Sequence, residues 1–177
     1  MFKRLEEIIK KLQGNVLVIG IDDELLDSFK TNNYVTLYSI TSEVKSSRKH
    51  SSKRKINNEG KPVSIKKLRK YINKKSVDYI ILNMEEVMNY YKYVIRDTIY
   101  LNKGTIYIYS SNNIDKNFVI NKYNRYGVKI SVNEYKNGYL ITIDNSNTKC
   151  NFFKEILYFI SDTLFNIAEF IGNILIS

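Results

Sequence analysis

The segment Val16–Ile21 is apolar from end to end, and this constrains the fold more than any other feature of the chain. Six such residues are too few for a buried helix. They also lack the polar alternation of a strand with one wet face, so the pattern is that of a strand covered on both sides, as in a parallel sheet. VDYIIL at Val77–Leu82 and TIYIY at Thr105–Tyr109 predict two further strands.

Between these runs the apolar spacing changes to that of helices. Phe2, Leu5, Ile8, Ile9 and Leu12 form one helical stripe, with Gly14 as its stop. Asp22 or Asp23 is placed to cap a second helix, in which Leu25, Leu26 and Phe29 face inward. After an Asn32-Asn33 turn, Tyr34–Ile40 reads as a strand. Ile65, Leu68, Tyr71 and Ile72 predict a helix with a lysine-rich outer face, and Met84–Leu101 predicts one long helix ending before Lys103-Gly104. A further helix is expected over Ile114–Tyr126, closed by Gly127 in the left-handed conformation. Two last strands, Val128–Val132 and Tyr139–Ile143, flank the turn Tyr135–Gly138 and are therefore expected to pair antiparallel.

Alternating strands and helices of this kind predict an α/β protein: a mainly parallel, Rossmann-like sheet with helices on both faces and a terminal antiparallel strand pair. With 177 residues there is room for one well-filled core. The expected organisation is a domain over residues 1–150, interrupted by a basic loop at 43–62, and a C-terminal amphipathic helix over 151–177. The polar positions of that helix, Glu155, Asp162, Asn166, Glu169 and Asn173, form one narrow stripe. Interior charges argue against a membrane span, and an acidic polar face argues against interfacial binding. Docking on the domain or pairing into a homodimer is the expected use.

The formal net charge of +10 is concentrated in one place. Residues 43–75 hold thirteen Lys or Arg against Glu43 and Glu59, a local charge of +11, so the remainder is close to neutral. Lys45, Arg48, Lys49, Lys53, Arg54 and Lys55 lie in the loop, and Lys66, Lys67, Arg69, Lys70, Lys74 and Lys75 follow on or beside the next helix. Clustered cations bind phosphates by charge and counterion release, which points to nucleic acid or another polyanion. Tyr71 is the only aromatic in the segment, so base stacking is not indicated. The one cysteine, Cys150, excludes an internal disulfide framework and suits a reducing cytoplasm. One cysteine and one histidine, His50, are too few for the usual zinc sites, so no metal is expected.

The succession helix, VLVIG strand, helix, strand, VDYIIL, long helix and LNKGTIYIY, closed by an antiparallel pair, resembles the class I S-adenosylmethionine-dependent methyltransferases over roughly residues 3–144. The resemblance implies S-adenosylmethionine as cofactor, bound at the strand ends by Gly20, Asp22, Ser39 and Asn83. Three alternating glycines follow the first strand in that family. Here Gly20 matches the first, but Asp22 and Glu24 stand at the others. The family's ribose-binding acid at the end of strand two is replaced by Tyr38-Ser39-Ile40-Thr41, and its motif after the VDYIIL strand by Asn83-Met84-Glu85-Glu86. The resulting expectation is a divergent methyltransferase-like protein with weak or absent cofactor binding that acts as a binding module. An active methyltransferase on an anionic or nucleic-acid substrate is the alternative. NVLVIGIDDELL followed by VDYIILN also resembles a response-regulator receiver, with Asn83 at the phospho-acceptor position, which makes a receiver-like pseudo-response-regulator a second alternative.

Overall fold

A computed structural model of the chain describes residues 2–21, 25, 27–29, 35–40, 68–111, 113–148 and the single positions 156, 157, 160 and 164. Asp22, most of the basic segment (with Lys49, Lys53, Arg54, Lys55 and Lys67) and most of the C-terminal segment lie outside the described residues, as do the side chains of Ser39 and Lys70. The elements are α1 (Phe2–Ile9), β1 (Gly14–Ile19), β2 (Val35–Ile40), α2 (Leu68–Tyr71), β3 (Val77–Asn83), α3 (Met84–Val87), a 3-10 turn (Met88–Tyr90), α4 (Tyr91–Leu101), β4 (Asn102–Ser110), α5 (Lys116–Asn124), β5 (Lys129–Tyr135) and β6 (Gly138–Asp144).

The strands form one six-stranded sheet in the order β2-β1-β3-β4-β6-β5. β2, β1, β3 and β4 run parallel, while β6 lies antiparallel to both β4 and β5. The reversed β6 sits between β4 and β5, where an open, receiver-like sheet of order 2-1-3-4-5 would set β5 directly beside β4. The sheet therefore departs from the receiver alternative at this edge. The antiparallel terminal pair forms as the sequence predicts, around the two-residue connection Lys136-Asn137.

Period-two alternation divides the strands between two cores. Leu17, Ile19, Ile80, Leu82, Ile106, Ile108, Ile141 and Ile143 meet Leu68, Val94, Ile95, Ile99, Val119 and Tyr123 of α2, α4 and α5 on one face. Val16, Val18, Ile81, Tyr109 and Leu140 meet Leu5 and Ile9 of α1, with Leu25 and Phe29, on the other. β1 is thus buried on both sides, which is why its sequence shows no alternation. Inside the first core the Tyr123 hydroxyl bonds Thr98 Oγ1 at 2.9 Å.

The long helix expected over Met84–Leu101 is instead α3, a 3-10 turn and α4. Val87 and Tyr90 leave helical geometry, with φ, ψ of −114°, 5° and −121°, 13°. The tighter turn re-phases the stripe: Met84 and Val87 are buried before it, and Val94, Ile95 and Ile99 after it. β4 also starts earlier than expected, at Asn102, so Lys103-Gly104 belong to the strand. The reason is side-chain chemistry. Asn102 Nδ2 reaches the carbonyl of Asp78 at 3.0 Å, its Oδ1 accepts from Gly104 N, and Asn145 Nδ2 donates to the Asn102 carbonyl at 2.8 Å. α5 begins at an Asp115 cap, whose carboxylate accepts from Asn117 N, and Gly127 follows it with φ +69°.

Candidate functional site

Open α/β sheets bind ligands beyond the carboxyl ends of their parallel strands. Here that edge gathers Gly20 and Ile21 after β1, Ser39-Ile40 at the end of β2, Asn83 closing β3, and Ser110 closing β4. Register places Ser39 opposite Val18, so three of the four expected cofactor residues, Gly20, Ser39 and Asn83, share one edge. The fourth, Asp22, lies outside the described residues.

Gly20 is buried and adopts φ +67°, a conformation that side-chain-bearing residues rarely take. A Cβ added there would sit 2.7 Å from Glu86 Cβ and 3.4 Å from both the Asn83 carbonyl oxygen and Val87 Cγ1. The space that a missing side chain leaves is therefore filled by the protein's own α3. Asn83 has a local role as well. Its Oδ1 accepts from Glu85 N at 3.2 Å and caps α3, so the residue expected to face a ligand acts as the helix N-cap.

The exposed side chains of α3 are carboxylates. Glu85 and Glu86 are exposed, and Glu85 Oε1 accepts a hydrogen bond from Ser111 Oγ. Ser111 Oγ in turn accepts from Asn113 N at 3.3 Å. Asp115 stands nearby at the start of α5. Burial pushes the Tyr139 hydroxyl above the usual phenol range, and the Asp115 and Glu85 charges push in the same direction. Beside it a cavity of about 300 Å³ is lined by Ile114, Asp115, Lys116, Glu134, Tyr135, Gly138 and Tyr139, with Lys116 and Glu134 paired across it. The pairing of Glu85 with Ser111 had no signal in the sequence, because it depends on β3 and β4 being neighbours.

Two of the expected cofactor residues already have partners within the protein. A Cβ at Gly20 would meet Glu86 and Val87, and Asn83 Oδ1 is engaged in the cap. No carboxylate stands at the end of β2, where Ser39 is followed by Ile40.

Of the expected anion-binding residues, Arg69 is described in full, and it does not project freely from α2. Its Nε bonds Asp97 Oδ1 at 2.7 Å, its Nη2 bonds the Arg96 carbonyl at 3.2 Å, and its guanidinium lies 4.1 Å from the Tyr100 ring centre. Arg96 Nε bonds the same carboxylate oxygen at 3.0 Å. Asp97 is buried, and desolvation raises its carboxyl above the usual range even with Arg96 and Arg69 beside it. The outer face expected from helical spacing is thus partly an interface with α4, and Arg96, Asp97 and Tyr100 were missed by the sequence reading.

A scan against protein-family models finds no match, and a search of curated proteins finds none either. Solved structures do match. An S-adenosylmethionine-dependent O-methyltransferase of Thermotoga maritima superposes with a TM-score of 0.53 at 9% identity, over 85% of this chain and 66% of its own. The E. cuniculi Mtq2–Trm112 complex, described as methylating the eRF1 termination factor, gives 0.51 at 15% identity over 81% and 91%. The T. thermophilus 16S rRNA N2 G1207 methyltransferase RsmC, in complex with AdoMet and guanosine, gives 0.51 at 9% identity. That last match covers 84% of this chain but 40% of RsmC, so this chain spans about two-fifths of such a neighbour. Among the described residues no helix is long and apolar enough to cross a membrane. In architecture, the chain has the Rossmann-like fold of the class I S-adenosylmethionine-dependent methyltransferases.

Proposed function

We propose that this protein is a methyltransferase-fold binding module whose affinity for S-adenosylmethionine is weak or absent, and whose partner is a nucleic acid or another polyanion engaged through residues 43–75. The observation that carries this reading is the occupied space at Gly20, where α3 packs against the backbone that would otherwise approach a cofactor. The cap formed by Asn83 and the carboxylates of Glu85 and Glu86 support it. The local charge of +11 over 43–75 supports the choice of partner.

The test is thermal denaturation with millimolar S-adenosylmethionine. A ligand at 100 times its Kd adds about 2.7 kcal/mol, which moves the Tm of a chain this size by roughly 5–10 °C. The expected result is no shift. A clear shift supports the alternative, an active methyltransferase on an anionic or nucleic-acid substrate, for which the fold shared with the AdoMet-bound RsmC is the motivation. A second contact surface is proposed at 151–177. Ile156, Leu157, Ile160 and Leu164 are all exposed there, at spacings of one helical face, and a homodimer would cover them. Light scattering tests this directly, and a monomer at all concentrations rules it out.

A further inference from the structure

The sequence concentrates the net positive charge in 43–75 and leaves that segment almost without aromatic residues. The fold alters both points. Arg69 and Lys74, at the end of that segment, meet α4, whose outer side supplies Arg96, Tyr93 and Tyr100. Arg69 and Lys74 lie over the Tyr100 ring at 4.1 and 5.5 Å, and Arg96 lies 5.6 Å from the Tyr93 ring centre. Asp97 Oδ1 holds the Nε atoms of Arg69 and Arg96 together. Two guanidinium groups are thereby kept side by side by one buried carboxylate, and each is 26% exposed. With Lys74 beside them over Tyr100, the two arginines and one carboxylate leave this ridge with a net positive charge.

We infer that the α2–α4 ridge of Arg69, Arg96 and Lys74 is a second half of the polyanion site, and that it binds the backbone phosphates of nucleic acid without reading sequence. This rests on the proposed polyanion-binding function and extends it to residues outside the basic segment. Clustered cations draw phosphates by charge and counterion release, and arginine keeps its charge at any accessible pH. The tyrosine rings hold the cations in place, so the contacts fall on phosphates and not on stacked bases. A lipid surface fits less well. Interfacial helices present an apolar face, whereas Val94, Ile95, Ile99 and Leu101 of α4 are buried in the core. Asp97 is a positioning residue in this scheme, acting through the two arginines.

The experiment is fluorescence anisotropy with a labelled, mixed-sequence single-stranded DNA 20-mer, titrated at salt concentrations from about 50 to 200 mM. In single strands each phosphate contact contributes about 0.7 to the slope of log K against log salt. Lys74→Glu/Arg96→Glu is expected to lower the slope by about 1.4 and the affinity by roughly tenfold or more. Lys74→Glu alone changes an exposed residue and gives about half that slope loss, which covers the case in which the Arg96 change disturbs folding. Arg4→Glu on α1, which packs against the opposite face of the sheet, makes the same change in charge as Lys74→Glu and is expected to alter binding by less than about twofold. A combined Lys49, Lys53, Arg54 and Lys55→Gln variant separates the two readings. If it loses binding while the ridge variants keep wild-type affinity and slope, the ridge proposal is overturned and the basic-segment reading stands. If the wild type binds neither the DNA at 50 mM salt nor phosphatidylserine vesicles, the polyanion reading itself fails. Binding to phosphatidylserine vesicles but not to DNA overturns the choice of nucleic acid.

Discussion

Gly20→Ala tests whether the glycine after β1 serves the protein's own packing. At φ +67° a side chain costs about 1–2 kcal/mol in backbone strain. The new methyl group would also lie 2.7 Å from Glu86 Cβ, an atom fixed by the backbone of α3 that cannot swing away. Overpacking of this kind costs about 1–3 kcal/mol, for a total of about 2–5 kcal/mol. Gly127 is an internal control, because its φ of +69° is nearly the same while nothing lies within 4 Å of an added Cβ. Gly127→Ala should therefore cost only the backbone part, about 1–2 kcal/mol. Urea denaturation followed by far-UV circular dichroism gives both values, with unchanged m-values required for the comparison. The decisive quantity is the difference, expected at about 1–3 kcal/mol. Removing the clashing atom with Glu86→Gly should recover most of it in the double variant, apart from roughly 1 kcal/mol for glycine within α3. Equal losses at Gly20 and Gly127, to within about 0.5 kcal/mol, would refute the close-packing account.

Two other outcomes follow from named contacts. Burial holds the Tyr123 phenol far above its usual pKa of 10, against the opposing effect of its Thr98 hydrogen bond. A raised folded pKa contributes stability that is fully present below about pH 10 and is lost as pH rises toward the folded value, by about 1.4 kcal/mol per pH unit. Tyr123→Phe should cost about 0.5–1.5 kcal/mol at neutral pH and yet flatten the decline between about pH 10 and 11; urea midpoints at several alkaline pH values check it, and an unchanged slope contradicts it. Asn83→Ala removes the α3 cap and should destabilise by about 0.5–2 kcal/mol, while Asn83→Asp, which still accepts from Glu85 N, should cost much less. Equal losses in the two variants would mean that the cap is not what Asn83 contributes.

Much of the scaffold was legible in the residues alone, because burial leaves a local mark. Val16–Ile21 lacks alternation because both faces of β1 are covered, and Gly127 stops α5 because its φ is positive. The terminal pair was readable from the short connection between two alternating segments, which has room only for a reversal. Helix continuity over Met84–Leu101 was not readable, since a 3-10 turn with buried residues on both sides preserves an apolar stripe in sequence while shifting its phase in space.

The edge beside Gly20 shows where local reading ends. Sequence by itself determined that Asp22 and Glu24 stand where the methyltransferases it resembles carry glycines, and that Ser39 is followed by Ile40 and not by an acid. Only the tertiary structure decided what packs beside Gly20, because the nearest atom to an added Cβ, Glu86 Cβ, lies on the connection after another strand. The same holds for Arg69. Helical spacing placed it among surface lysines, and α4 turned it toward Asp97 and Tyr100. Apolar patterning is written along the chain because each residue carries its own burial preference. A contact between residues distant in sequence belongs to no one residue, and exists only once the sheet has set its strands side by side.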